Sequence, residues 1–153
     1  MKFTMLFFVL ALSSGYAQAQ KLKESEVPAA VKSAFAKRFP AVKQATWSKE
    51  NATAFEAEFA VNHLEQSANF DAAGTWLATE TEIKKGDLPS AVQATLSKEF
   101  AGYKIEEAEK AETSTGVFYE VEVEKGKTTY EIQISPEGKV LSKKEEKEGA
   151  EKD

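Results

Sequence analysis

Two stretches of the chain repeat each other, and this similarity constrains the fold more than any other feature of the sequence. "VPAAVKSAFAKRF" occupies residues 27–39 and "LPSAVQATLSKEF" occupies residues 88–100. A shift of 61 residues aligns Pro28 with Pro89, and after a three-residue insertion a shift of 64 aligns Gly74 with Gly138. Because the register persists through segments of different periodicity, the sequence predicts a tandem duplication.

Each copy opens with the pattern of an amphipathic helix, in which apolar residues recur four positions apart. The apolar residues are Val27, Val31, Phe35 and Phe39 in the first copy, and Leu88, Val92, Leu96 and Phe100 in the second. Pro28 and Pro89 fit the first turn, where proline costs no intrahelical hydrogen bond. The sequence therefore predicts one helix at the start of each copy.

After each helix the apolar period changes to two. "TAFEAEFAV", "VFYEVEVE" and "TTYEIQIS" alternate apolar and polar residues, which is typical of strands with one buried face. "STG", "EKGK" and "PEG" predict hairpin turns between them. The predicted fold class is α+β, a tandem duplication in which each repeat packs one helix on a four-stranded antiparallel meander sheet.

The first residues have the pattern of a secretory signal peptide: Lys2, an apolar run over residues 3–12, and an Ala17-Gln18-Ala19 cleavage site. The run is shorter than the roughly 20 residues that a membrane-spanning helix needs, although an uncleaved anchor is the alternative. We therefore expect a periplasmic or secreted protein, cleaved near Ala19. The predicted boundaries are a signal peptide at 1–19, repeats at 20–84 and 85–147, and a disordered tail at 148–153.

The amino-acid composition argues against several kinds of catalytic and binding chemistry. The chain has no cysteine, one histidine, and 25 acidic against 20 basic residues, so it lacks thiol chemistry and the basic excess of a nucleic-acid partner. His63 falls at a predicted hairpin tip without the neighbours that a metal site or a serine hydrolase would need. We predict no enzyme activity, no cofactor and no metal site, with a hydrolase that has an unrecognised site as an alternative.

The candidate site is the sheet face opposite the helices, where the alternating strands place glutamates. Its predicted binding residues are Glu56, Glu58, Glu120, Glu122, Glu124, Glu131 and Phe118. This face could serve solubility and protection against sheet aggregation, or it could be an electronegative platform for a cationic protein, peptide or divalent ion. Trp76, beside the Gly74 turn, is a further candidate, either as a contact at the rim or as a packing residue. Trp47 is predicted in the core.

These residues also carry a family resemblance. A signal peptide, two "[VL]P-x-A-V" helix starts, the strands "FEAEF" and "YEVEV", and the hairpins "FDAAGTWL" and "ISPEGKVL" resemble the PepSY-like, beta-lactamase-inhibitor-like proteins of Bacteroidetes. The resemblance implies the tandem helix-plus-sheet arrangement of beta-lactamase inhibitor proteins, with sheet faces that form a concave surface.

The function predicted from residues and resemblance together is that of a non-enzymatic exported binding module. By resemblance it is an inhibitor or modulator of an envelope enzyme, such as a peptidase, that uses a sheet face. Its expected partner is a protein or peptide with a cationic surface. The alternative is a periplasmic small-ligand or divalent-cation binding protein.

Overall fold

The structure is a computed structural model that describes residues 20–49 and 53–146. Its strands are β1 (Gln20–Leu22), β2 (Thr46–Lys49), β3 (Ala54–Val61), β4 (Leu64–Asp71), β5 (Trp76–Glu82), β6 (Lys104–Thr113), β7 (Gly116–Lys125), β8 (Thr128–Ile134) and β9 (Val140–Glu146). Its helices are α1 (Ala29–Arg38) and α2 (Ser90–Glu99), each preceded by a short 3₁₀ turn, Glu24–Glu26 and Lys85–Asp87. The predicted signal peptide and the predicted tail lie outside the described residues.

The nine strands form one antiparallel sheet in which the spatial order is the chain order, β1 to β9. The prediction of an α+β tandem duplication with two four-stranded sheets is therefore wrong, because the fold is mostly β and has a single sheet. The decisive contact is the pairing of β5 with β6, from Ala78 opposite Thr113 to Glu82 opposite Glu109. Two separate sheets would leave both of these strands as edges with unpaired backbone groups, and pairing them satisfies those groups.

The two predicted helices are confirmed, and each begins directly after its proline. The amide of Lys32 donates to the Pro28 carbonyl at 3.1 Å, and the amide of Gln93 donates to the Pro89 carbonyl at 3.0 Å. α1 ends two residues before Pro40, whose predecessor disfavours the α conformation. Both helices pack on the same face of the sheet, which we call the helix face.

The helix face holds the core in two clusters. Around α1 the cluster is aromatic, and the ring of Phe35 lies 5.2 Å from the rings of both Trp47 and Phe59. The buried position of Trp47 is the one that the sequence predicted. Around α2 the cluster is mostly aliphatic and consists of Leu88, Val92, Leu96, Phe100, Ala108, Val121, Val123, Ile132 and Ile134. Each helix therefore covers one part of a continuous sheet.

Two turn glycines allow the sheet to approach the helices closely. Gly74 follows β4 with a φ of +84°, and a Cβ there would lie 2.6 Å from the Ala30 carbonyl oxygen. Gly138, between β8 and β9, has a φ of +88° and the same 2.6 Å relation to the Ala91 carbonyl oxygen. A side chain at either position would strain the backbone and collide with the helix. Both turns therefore depend on glycine.

Candidate functional site

The sheet face opposite the helices carries carboxylates from strand to strand, and we call it the glutamate face. Strand register places Glu58, Ser67, Glu80, Ala111 and Phe118 side by side in one row across β3 to β7. The neighbouring row runs through Glu82, Glu109, Glu120, Gln133 and Ser142. The face as a whole includes Glu56, Glu58, Glu80, Glu82, Glu107, Glu109, Glu120, Glu122, Glu124 and Glu131.

Much of this polar face is buried, although both described helices lie on the other side of the sheet. Asn69 is 0% exposed, Glu80 1% and Glu120 5%. At the centre of the face are two small side chains, Ala78 and Ala111, over which the larger neighbours can fold. A twisted, coiled sheet brings side chains from separated strands together on one face. Burial of polar groups on a face without helices is what such coiling produces.

Burial changes the protonation of three glutamates on this face. It raises the pKa of Glu80 to about 9, with added repulsion from Glu109 and Glu120. It also raises the pKa of Glu120 to about 8 and that of Glu109 to about 7, again with repulsion from neighbouring carboxylates. Glu56 on β3 contributes to the shift of Glu109 although two strands lie between them, which fits the curvature. At neutral pH the carboxyl groups of Glu80 and Glu120 are therefore mostly protonated.

Some buried polar side-chain atoms of the glutamate face have hydrogen-bond partners, and others have none among the described residues. Ser48 Oγ donates to Glu56 Oε2 at 3.0 Å, and Ser67 Oγ donates to Glu80 Oε2 at 3.0 Å. Within the described part of the chain, Glu80 Oε1 and both polar side-chain atoms of Asn69 have no hydrogen-bond partner. Asn69 pairs with Glu56 in the strand register and so belongs to the same face. An unpartnered buried polar group costs stability, so this part of the glutamate face lowers the free energy of unfolding.

A cavity of about 430 Å³ opens on the glutamate face between β3, β4, β5 and β6, and we call it the acidic hollow. Its described lining includes no lysine or arginine. Six glutamates line it, Glu56, Glu58, Glu65, Glu82, Glu107 and Glu109. The size is within the range of small-molecule sites, and the charge suits a cation.

The predicted site residues fall in different places. Glu56 and Glu58 line the acidic hollow. Glu120 and Glu131 are buried further along the same face, and Glu122 lies beside Glu131. The other two members on this face are at its margins: Glu124 is exposed beside Lys104, and Phe118 is partly buried beside Ala111.

Trp76 lies on the helix face, away from the glutamates. Its indole Nε1 donates to Thr79 Oγ1 at 2.9 Å, and the Arg38 guanidinium lies 3.5 Å from its ring centroid. It packs against the aromatic cluster around α1. These contacts agree with the packing alternative for this side chain.

Sequence reasoning missed Glu80, Glu82, Glu107 and Glu109. Three of them, Glu82, Glu107 and Glu109, line the acidic hollow. The fourth, Glu80, has the most buried carboxyl group among the described residues. The signal was present as alternation in "TETE" over residues 79–82 and "EEAEKAE" over residues 106–112. It was weak because the opposite side of these strands carries threonine, lysine and glutamate instead of large apolar residues. A strand that is polar on both sides resembles a loop in sequence.

Other kinds of site find no support. His63 is exposed in the β3–β4 turn, with a φ of 67°. Across residues 20–49 and 53–146, no group of three or more histidine or acidic side chains is arranged to hold a metal ion. Over the same described ranges, no helix has the length and hydropathy to cross a membrane.

Comparison with known families gives a match over residues 53–142, to the family described as "Putative beta-lactamase-inhibitor-like, PepSY-like". The chain belongs to this PepSY-like family. The matched range runs from β3 into β9 and includes the acidic hollow. The family is named after a likeness to inhibitors, not after a reaction. No curated protein matches the chain.

Solved structures show the same fold. A DUF2874 family protein from Bacteroides uniformis is 23% identical, with a TM-score of 0.72, and the match covers 77% of this chain and 88% of that one. A BLIP-like protein from Bacteroides fragilis is 24% identical, with a TM-score of 0.69 and coverage of 82% and 92%. A protein from Bacteroides eggerthii described as "putative periplasmic" is 21% identical, with a TM-score of 0.72 and coverage of 78% and 88%.

Proposed function

We propose that this PepSY-like protein is a non-enzymatic exported binding module that captures a protein partner on its glutamate face. The observation that carries the proposal is the acidic hollow, a cavity of about 430 Å³ lined by six glutamates and, among the described residues, by no basic side chain. The BLIP-like relative supports a role as an inhibitor or modulator of an envelope enzyme, such as a peptidase.

The expected partner presents a cationic segment, because complementary charge steers association and rejects partners of the wrong sign. A flat acidic surface would lose most of this effect to water and salt. Here the carboxyl groups converge from four neighbouring strands into a recess, so their fields add where the solvent is partly excluded. The predicted residues Glu56 and Glu58 belong to the contact surface, with Glu120, Glu122 and Glu131 extending it toward β8.

The proposed place of action is the periplasm or the cell surface. The signal-peptide pattern over residues 1–19 supports export. The description of the Bacteroides eggerthii relative as "putative periplasmic" agrees with it. Cleavage near Ala19 would leave β1 at the start of the mature chain.

A binder of small cationic ligands is the second candidate, because the acidic hollow has the size of a ligand site. The divalent-cation version has less support, since the described residues offer no arrangement of three metal-ligating side chains. A rise in melting temperature with added calcium would favour that version, because a ligand that binds only the folded state stabilises it.

The test of partner capture uses photo-cross-linking groups at two positions, one at Glu58 in the acidic hollow and one at Glu99, exposed on α2. Each protein is incubated with envelope extract, and cross-linked proteins are identified, purified and tested again for binding. We expect the Glu58 position to cross-link to a basic segment of one protein. Cross-links from Glu99 alone, or none at either position, would contradict the proposal.

A charge-matched pair of variants completes this test. The triple variant Glu58→Gln, Glu82→Gln, Glu107→Gln removes three exposed carboxylates from the acidic hollow. The control variant Glu24→Gln, Glu99→Gln, Glu145→Gln removes three exposed carboxylates elsewhere. Both have the same net charge, so loss of capture in the first variant alone supports the hollow, and equal loss in both indicates a nonspecific charge effect.

A further inference from the structure

We propose that this protein forms a symmetric dimer in which β9 pairs, in antiparallel orientation, with β9 of a second copy. The inference goes beyond partner capture and does not depend on it. Its starting observation is the last edge of the sheet, where β9 pairs with β8 on one side and no described strand lies on the other. Such an edge presents backbone N–H and C=O groups with which another strand can pair.

The two edges of the sheet differ in their capacity for such pairing. The first edge, β1, has three residues, Gln20–Leu22, whereas β9 has seven, Val140–Glu146. Short length is a common protection of edge strands, and β1 has it. β9 has neither this protection nor a proline, and its register with β8 shifts only near its start, opposite Gln133 and Ile134. The regular part of β9, residues 142–146, is therefore open to a further strand.

The charge pattern of β9 indicates which strand fits this edge. Lysines on an edge strand repel another basic edge, so Lys143 and Lys144 by themselves would protect it. In β9, however, an acidic residue, Glu145, follows the two lysines. The order of residues reverses between antiparallel strands, so a segment that runs from basic to acidic meets opposite charges in its own copy. A second copy of β9 therefore complements the charges of the first.

Symmetry restricts the register of this pair. A two-fold axis between adjacent antiparallel strands is perpendicular to the sheet, so side chains that meet across it lie on the same face of both copies. Lys143 and Glu145 are exposed on the helix face, where their neighbours on β8 are Ile132 and Tyr130. The Lys143 Nζ atom lies 3.7 Å from the Tyr130 ring centroid. With the axis at Lys144, Lys143 of each copy lies opposite Glu145 of the other, which gives two identical ion pairs.

The register centred on Lys144 sets two lysines opposite each other on the glutamate face, and the acids around them offset this repulsion. Strand register aligns Glu107, Glu122, Glu131 and Lys144 in one row across β6 to β9. In the dimer the rows of the two copies join, so the two lysines lie between two groups of glutamates. Opposite charges on neighbouring strands stabilise their pairing. The same axis keeps both glutamate faces on one side of a continuous sheet.

Because the chain has no cysteine, single cysteine variants test the register directly. Opposite residues of an antiparallel pair have Cα atoms about 4.5–5.5 Å apart, which a disulfide can bridge. The proposed axis places Lys144 opposite its own copy, whereas the two Glu145 Cα atoms would be about 8–9 Å apart. On a non-reducing gel after mild oxidation, we expect Lys144→Cys to give a linked dimer and Glu145→Cys to remain mostly monomeric. Equal linking of both variants, linking of Glu145→Cys alone, or linking of neither would overturn the inference.

Charge reversal tests the two ion pairs, with the dissociation constant of the dimer measured by analytical ultracentrifugation. We expect Lys143→Glu and Glu145→Lys each to raise this constant by about tenfold or more, because each turns two attractive contacts into repulsive ones. An equimolar mixture of the two variants should dimerise as strongly as the wild type, since both pairs of the mixed dimer again join a lysine to a glutamate. Recovery in the mixture also shows that the single variants are folded.

The control is Lys21→Glu, which changes the net charge equally and lies on the opposite edge strand, β1, where Lys21 is exposed. We expect it to leave the dissociation constant unchanged. A protein that is monomeric at every concentration measured, a dimer that tolerates both reversals, or a dimer that Lys21→Glu weakens as much would overturn the inference. If the protein is monomeric while the Glu58 position still cross-links a partner, the proposed function stands and the dimer fails alone.

Discussion

Asn69 and Phe70 are neighbours in β4, and both are 0% exposed, yet the two side chains are buried for different reasons. Phe70 points to the helix face and packs among aromatic rings, with the ring of Phe35 6.3 Å away. Asn69 points to the glutamate face, beside Glu56, and its amide has no partner in the described chain. Burial of Phe70 therefore stabilises the fold, whereas burial of the unpartnered Asn69 amide lowers its stability.

The difference shows that the two faces of the sheet contribute oppositely to stability. On the helix face, apolar area is removed from water and each buried group contributes to stability. On the glutamate face, polar groups are removed from water with incomplete compensation, which lowers stability. The sheet tolerates that cost because the aromatic and aliphatic clusters on its other face contribute enough folding stability to offset it. Such strained positions are typical of functional sites.

The largest expected effect is the difference in stability between two single variants, Phe70→Ala and Asn69→Ala. Phe70→Ala should lower the free energy of unfolding by about 3–5 kcal/mol, because it leaves a cavity in the aromatic cluster. Asn69→Ala should change it by less than about 1 kcal/mol, since the lost amide makes no hydrogen bond in the described chain. Urea denaturation of both variants measures the difference. A large loss for Asn69→Ala would show that the two faces contribute alike.

A second prediction concerns pH. Because Glu80 has a pKa of about 9 in the folded protein and an ordinary lower value when unfolded, the folded state binds more protons between these limits. Wild-type stability should therefore fall as the pH rises from about 5 to about 9. Glu80→Gln removes the ionisation and should stabilise the protein at pH 8 by on the order of 2 kcal/mol. The two proteins should be nearly equal at pH 4.

Thermal unfolding across pH 4–9 measures this prediction. Glu124→Gln is the matched control, because it removes an exposed carboxyl group from the same face. A Glu80→Gln variant that is less stable than wild type at pH 8 would contradict the burial account. In that case the ionised carboxylate would have stabilising contacts that outweigh its desolvation.

The sequence predicted the local elements better than their assembly. Apolar spacing of four located both helices, and the "FEAEF" and "YEVEV" alternation located β3 and β7. The division into two sheets was wrong because alternation identifies a strand but not its partner. The pairing of β5 with β6 joins segments separated by α2 and a 3₁₀ turn, and no local pattern encodes that contact.

The candidate site was predicted as a face and not as a hollow. Alternation assigned Glu56 and Glu58 to the side opposite the helices, and the structure places them there. The sequence did not indicate that the face is buried, because that depends on curvature and on the small residues Ala78 and Ala111 at its centre. It also did not indicate the role of Glu80, whose environment is formed by β4, β6 and β7 together.

The smallest expected effect concerns Trp76 and asks whether the helix face takes part in binding. Arg38→Gln removes the guanidinium that lies 3.5 Å from the Trp76 ring centroid. At this exposed position we expect a loss of about 0.5–1 kcal/mol in the free energy of unfolding, measured by urea denaturation. Partner capture through the acidic hollow should be unchanged, since Trp76 and the acidic hollow lie on opposite faces. If the substitution abolished partner capture without unfolding the protein, the binding surface would have to include the helix face, and the separation of roles between the two faces would fail.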